Sequence, residues 1–205
     1  MLGSEGFDLW ADGYDRSVGL SEEEGAYPFA GYRRILSEIY CRVLAGGEKA
    51  VLDLGFGTGT LTARLYEQGC SIFGQDFSEK MIGLAQERMP KAKLYQGDFS
   101  QGLAEGLKQN TYDAIIATYS LHHLMDIQKA SLLRELLTLL KEGGHIYIGD
   151  VAFASRGELE ACRVEAGEEW DGEEIYFVFE EWKETFPKMK FEPFSYCAGL
   201  LSLEK

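Results

Sequence analysis

The stretch Val51–Thr62, VLDLGFGTGTLT, constrains the fold of this chain more than any other. Val51, Leu52 and Leu54 form the short apolar run of a strand buried on both faces, and Gly55, Gly57 and Gly59 follow at once. Without a Cβ, glycine reaches positive φ and lets a ligand lie against bare backbone. Thr60 is placed to cap a helix starting near Leu61. A buried strand that breaks through a glycine turn into a helix presents unpaired N–H groups and the positive end of a helix dipole. In an open α/β sheet this is where ligands bind, outside the carboxyl ends of the strands.

The spacing narrows the ligand. A dinucleotide fingerprint needs glycine where Thr60 stands, and a phosphate loop needs Gly-Lys followed by Ser or Thr, which is absent. What remains is acid-x-G-x-G-x-G, with Asp53 ahead of the first glycine. Taken alone the stretch also admits a plain structural turn.

The rest of the chain repeats the strand-then-helix alternation. Tyr32, Ile35, Leu36, Ile39, Tyr40, Val43 and Leu44 recur at the spacing of one helical face, closed by Gly46-Gly47. After the glycine turn, the pattern predicts a helix over 61–68, a strand over 71–75 ending on Asp76, and a helix capped by Ser78 and closed by Pro90. A short strand over 93–96 runs into Gly97-Asp98. Tyr112–Thr118 is a strongly apolar strand, Ser131 is expected to cap a helix over 132–140, and a fifth strand spans 145–151. Beyond it, helices are predicted over 155–170 and 173–186, then two short strands over 190–203 that finish the sheet antiparallel. Strands alternating with helices imply a parallel sheet with right-handed crossovers.

Composition removes several function classes. The 205 residues suit one domain that buries roughly 70% of its unfolded surface, without staples. No apolar run approaches the ~20 residues of a membrane span. The opening MLGSEGFDLW lacks a basic region followed by an apolar segment, so a cytoplasmic protein is the expectation. Cys41, Cys70, Cys162 and Cys197 are scattered, which favours reduced, mostly buried thiols over disulfides or a metal site. A net charge of −14 opposes nucleic-acid binding, since phosphate contacts need clustered Lys and Arg.

The strand ends supply chemistry. Asp76, about 20 residues beyond the glycine turn, suits a bidentate grip on the hydroxyls of a ribose. Asp98 suits an exocyclic adenine amine, with Phe77, Met81 and Phe99 as apolar walls for the base. Each aspartate is also eligible as a helix cap or turn residue. Backbone groups of the turn can hold a carboxylate and an ammonium, with Asp53 acting directly or through water.

VLDLGFGTGTLT, GQDFS, QGDF, YDAIIATYSLHHL and LLKEGGHIYIGD, in that order, resemble the class I S-adenosylmethionine-dependent methyltransferases. The opening FDLWADGYD is similar to that of a group of small bacterial members. The resemblance implies an α/β, Rossmann-like sheet of seven strands, order 3-2-1-4-5-7-6 with the seventh antiparallel, and helices on both faces. It implies one domain over 1–205: an N-terminal helical lid (1–47), a cofactor-binding half (48–152), and C-terminal helices with the last two strands (153–205). S-adenosylmethionine would be the cofactor, with S-adenosylhomocysteine the product. Gly55, Gly57 and Gly59 would pass under its methionine moiety, Asp76 would hold the ribose and Asp98 the adenine, while Thr118 to Leu121, including Ser120, would flank the sulfonium. Phe56 departs from the small residue or proline often found there, although its side chain can point away from the ligand.

Methyl transfer from a sulfonium is an in-line displacement, so the protein has to align the acceptor, exclude water and remove a proton from an O–H or N–H acceptor. Candidates for the proton step are His122, His123 and Tyr119; the alternative is that the histidine pair shapes a loop. Tyr14, Asp15, Tyr27 and Phe29 are expected in the lid, and Tyr14, Tyr27, Phe29 and His123 at the acceptor pocket. The expected acceptor is a small molecule, with no nucleic acid, membrane or metal involved and a monomer or homodimer as the working state. The rival readings are a non-catalytic module that binds S-adenosylmethionine and an NAD(P)-dependent reductase, the latter opposed by Thr60 and Asp98.

Overall fold

The computed structural model describes residues 25–45, 47 and 50–205. One twisted sheet carries the molecule. Its strands are β1 (Ala50–Leu54), β2 (Ser71–Asp76), β3 (Lys93–Gln96), β4 (Tyr112–Thr118), β5 (Leu140–Phe153), β6 (Phe177–Val178), β7 (Lys190–Pro193) and β8 (Ala198–Glu204). The main order is β3-β2-β1-β4-β5-β8-β7, with β6 paired to β5 off this path. Apart from the added two-residue β6, this is the order the family resemblance implies, and the last long strand, β8, runs antiparallel to both β5 and β7.

The register aligns the strand ends. Leu54 pairs with Gln75 and with Ala117, Asp76 with Gln96, and Thr118 with Gly149. Parallel strands in register leave their carboxyl ends on one edge, so Asp53, Asp76, Asp98 and Thr118 converge there.

Helices α1 (Tyr32–Ala45), α2 (Thr60–Glu67), α3 (Glu79–Arg88), α4 (Glu105–Lys108), α5 (Asp126–Leu139), α6 (Arg156–Ala166) and α7 (Phe179–Trp182) cover the sheet. Alternation along the central strands splits the core into two layers. Val51, Ala114 and Ile116 pack with Ile35, Ile39 and Val43 of α1, while Leu52, Leu54, Ile115 and Ala117 pack with Leu132, Leu133 and Leu136 of α5. Truncating a buried residue such as Ile116 to Ala costs about 2–5 kcal/mol. The approach of α1 to the sheet is close: a Cβ on Gly149 would fall 2.3 Å from Ile35 Cγ2.

Three sequence expectations give way. Thr60 is the first residue of α2 and caps nothing; Gly59 holds the N-cap in a left-handed conformation (φ 76°). The helix before β5 starts at Asp126, not after Ser131, because the Gln128 side chain accepts the Met125 N–H (2.9 Å) and supplies the cap. The segment 173–186 is not one helix: α7 is four residues long, and the chain before it is extended, with Tyr176 and Val178 in one core layer and Phe177 in the other. Ser78 caps α3 as expected and Ser155 caps α6, accepting from the N–H groups of Met81 and Glu158. All four cysteines are free, with Cys41 exposed and the others buried. Among the described residues no helix is long and apolar enough to cross a membrane.

Candidate active site

Gly55, Gly57 and Gly59 all lie at positive φ (70°, 54° and 76°), so the turn after β1 is built from a conformation that side chains resist. Its glycine N–H groups are not unpaired, in contrast to the reading from sequence. They donate to Gln75 O (2.8 Å), Asp76 Oδ2 (2.9 Å) and Phe56 O (2.9 Å) respectively, which fixes the turn against β2. A Cβ on Gly55 would fall 2.4 Å from Ser120 Cβ, so the turn and the end of β4 touch. The Phe56 ring is buried against Gly74 of β2, where a Cβ would fall 2.5 Å from Phe56 Cδ1.

Asp53 lies beneath this turn, 2% exposed, with Oδ1 lacking a hydrogen-bond partner. Burial raises its pKa to about 8, with the nearby Thr62 hydroxyl opposing the shift and the Asp76 carboxylate adding to it. The crevice above, open to solvent, is lined by Tyr32, Asp53, Gly55, Gly57, Thr58 and Thr118. An orphaned buried carboxylate oxygen below a wall of bare backbone fits a ligand with an ammonium group.

Asp76 is buried at the end of β2, and its Oδ2 and Oδ1 accept from Gly57 N–H and from Ser78 N–H (3.0 Å). A carboxylate with two oxygens and about four acceptor sites is the kind of group that grips a diol. Asp98 is exposed and caps a short 3₁₀ turn over Phe99–Gln101, accepting from Ser100 N–H (2.8 Å) through Oδ1. Met81 is buried, and Phe77 and Phe99 are half-buried near the same edge. Gln75, which the sequence did not single out, closes this side: Oε1 accepts from Ala104 N–H (2.8 Å) and Nε2 donates to Gly102 O (3.0 Å).

On the β4 side, Tyr119 is the one non-glycine residue at positive φ among those described (50°), a strained geometry of the kind that gathers at functional sites. Its N–H donates to Gly149 O (2.8 Å), and its ring packs against Phe29 and Tyr32 at 5.4 and 5.1 Å between centroids. The Ser120 hydroxyl donates to Leu54 O (2.8 Å), tying this turn to β1. Tyr14 and Asp15 lie outside the described residues.

The 3₁₀ turn Leu121–His123 follows. His122 is buried; its Nδ1–H donates to Asp150 Oδ1 (2.6 Å), and Nε2 stands 3.4 Å from Glu174 Oε1. Burial alone would lower the His122 pKa, but Asp150 and then Glu174 outweigh it, and the net shift is upward. His123 is pushed down to about 4 by burial and by the charge of His122.

Glu174 belongs to a strap over residues 170–176 that the sequence reading missed. Asp171 N–H donates to Tyr27 Oη (3.2 Å), Tyr27 O–H donates to Tyr176 Oη, and Tyr176 O–H donates to Glu174 Oε2 (2.7 Å). Trp170 stacks on Tyr27 at 5.3 Å, and Ile175 N–H donates to His122 O (2.8 Å). The buried Lys129 ammonium donates to Ile175 O and to Asp126 Oδ1 (3.2 Å). Tyr27 therefore reaches the site by way of this strap. The available signal was the run Ile175-Tyr176-Phe177-Val178, aromatic and β-branched as strands are.

Comparison with known proteins places this geometry in context. A family model described as a methyltransferase domain matches residues 51–144. An uncharacterized methyltransferase of Anoxybacillus flavithermus is 36% identical over 160 residues, 78% of this chain and 72% of the relative. Another, from Geobacillus sp. (strain WCH70), is 38% identical over 163 residues, 79% and 73% of the two chains. Among solved structures, a DhpI complex with SAH superposes with a TM-score of 0.68 at 16% identity, covering 97% of this chain and 93% of that one. Magnesium protoporphyrin IX methyltransferase from Synechocystis PCC 6803 with bound SAH gives 0.65 at 18% identity, covering 85% and 83%. At these identities the structures establish the shared fold.

Proposed function

The chain belongs to the methyltransferase family of these relatives, and on that premise we propose that it transfers a methyl group from S-adenosylmethionine to a small-molecule acceptor. The observation that carries the reading is the knot of Gly57 and Asp76 above the buried Asp53 carboxyl, whose Oδ1 has no hydrogen-bond partner, at the edge where the parallel strands end. The residues fit the cofactor: bare glycine backbone for its amino-acid part, Asp53 beneath for its ammonium, and Asp76 for its sugar hydroxyls. Asp98 keeps an oxygen beyond its cap for the adenine amine, and Phe77, Met81 and Phe99 enclose the base.

When bound, S-adenosylmethionine supplies a methyl group whose leaving group is already activated by the sulfonium charge. This chain contributes alignment and dryness. Thr118 and Ser120 form the edge beside the reacting centre, and Tyr27, Phe29, Tyr119 and His123 wall the acceptor side. Removal of a proton from an O–H or N–H acceptor is assigned to the His122–His123 turn. The net charge of −14 supports a small acceptor over a nucleic acid.

Thermal shift and calorimetry with S-adenosylhomocysteine and with NADH test the cofactor. Stabilisation by S-adenosylhomocysteine alone is expected, and stabilisation by NADH alone would return the chain to the reductases. Release of S-adenosylhomocysteine from S-adenosylmethionine with one member of a metabolite panel would then identify the acceptor and set aside a purely binding role.

A further inference from the structure

We propose that His122, His123 and Glu174 form a binding site for one divalent transition-metal ion. A ring nitrogen from each histidine and a carboxylate oxygen of Glu174 lie within 4.8 Å of one another. Ligand atoms about 2.0–2.1 Å from a common ion stand roughly 2.9–3.4 Å apart. The His122 Nε2 to Glu174 Oε1 distance, 3.4 Å, is already that separation. It is long for a charge-assisted hydrogen bond, which closes to about 2.7–2.9 Å.

The surrounding bonds aim these atoms. Asp150 is fully buried and accepts the Nδ1–H of His122 at 2.6 Å, which fixes the ring and aims Nε2 toward Glu174. Val151 N–H holds the same Asp150 oxygen (2.8 Å). Tyr176 O–H holds Glu174 Oε2 and turns Oε1 toward the histidine. Nε2 and Oε1 thus face each other across a gap that a proton on Nε2 fills in the free protein and that a metal ion, displacing this proton, would fill when bound. A carboxylate behind a ligating imidazole is the usual outer support of a metal site. Asp150 Oδ2, buried with no hydrogen-bond partner, adds negative charge behind the ligands.

The donor set selects the ion. Two imidazoles and one carboxylate, with no thiolate, suit Zn²⁺, Co²⁺, Ni²⁺ or Fe²⁺, whereas Mg²⁺ and Ca²⁺ prefer oxygen throughout. Three protein ligands leave coordination positions open. The ion would then polarise a donor atom of the acceptor beside the Tyr119–His123 turn; that role rests on the methyl-transfer reading, where with the ion bound it takes the place of proton removal by the two histidines, whereas metal binding does not.

The test uses the full chain stripped with a chelator, then titrated with Zn²⁺ by calorimetry and with Co²⁺ by its visible absorption. One ion per chain is expected, with Mg²⁺ and Ca²⁺ giving no saturable binding. Glu174→Gln, which preserves shape, and His123→Ala should each lose at least tenfold in Zn²⁺ affinity, and Asp150→Asn about 10–100-fold. Absence of stoichiometric Co²⁺ or Zn²⁺ binding overturns the site, as does binding unchanged in the Glu174→Gln/His123→Ala variant. S-adenosylhomocysteine affinity measured on the same samples separates this failure from failure of the methyltransferase reading, since its site shares none of these ligands.

Discussion

The Gly57 N–H donates to Asp76 Oδ2 at 2.9 Å, so the most conformationally restricted turn of the chain is anchored on the carboxylate assigned to the sugar. The Ser78 N–H on the other oxygen (3.0 Å) makes Asp76 a shared corner of the turn, the strand end and α3.

Asp76→Ala should therefore weaken S-adenosylhomocysteine binding by about 100-fold, the loss of two charge-assisted bonds at ~1.5 kcal/mol each, and also destabilise the fold by leaving two N–H groups without acceptors. Calorimetry and urea unfolding read the two effects. A loss of affinity under tenfold would remove Asp76 from the sugar site.

Gly55→Ala combines a positive φ with a Cβ 2.4 Å from Ser120 Cβ. The expected destabilisation is about 2–4 kcal/mol. Measured against Ser120→Gly alone, which itself loses the 2.8 Å bond to Leu54 O, adding Gly55→Ala should cost only the left-handed backbone and not the steric part. If urea midpoints show the full cost in that background, the contact between the two turns is not what constrains position 55.

Asp53 sets a pH dependence. Its pKa rises from 3.8 unfolded to about 8 folded, so folding favours its protonated form. The associated stability is fully present below pH 4 and is lost as pH rises through about 8. Asp53→Asn should be flat over this range and gain on the parent, by a few kcal/mol in order of magnitude, between pH 5 and pH 9. Parallel urea midpoint curves for the two proteins would contradict the buried, raised carboxyl.

Tyr27→Phe removes the hydroxyl that accepts from Asp171 N–H and donates to Tyr176. Loosening of the strap by about 1 kcal/mol is expected, seen as faster hydrogen exchange at Asp171, with S-adenosylhomocysteine affinity unchanged. Unaltered exchange would mean that the stacking of Trp170 alone holds the strap.

How much of this was legible depends on whether a feature is local. The glycine turn and Asp76 at its strand end follow from patterns within one strand–turn–helix unit, and those patterns carry directly into the structure, whereas the strand order, a non-local property, came from the family resemblance. The Asp98 side chain shows why a single residue is ambiguous: the same carboxylate caps a turn and offers a second oxygen to a ligand. The strap was misread because acidic and aromatic residues over 173–186 mimic an amphipathic helix, while Lys129, more than forty positions earlier, and β5 determine its extended path. Asp150 lies within the predicted fifth strand, but its partnership with His122 arises only when β4 and β5 lie side by side.

The Phe56 ring resting on Gly74 links two positions that belong to different strand–turn units. Neither is free to drift alone: any side chain at 74 requires a smaller residue at 56, and a smaller residue at 56 opens a hole that only growth at 74 can refill. Lineages of this family should therefore exchange bulk between the two as a pair, and a designer who wishes to reshape the crevice from below has to alter both at once.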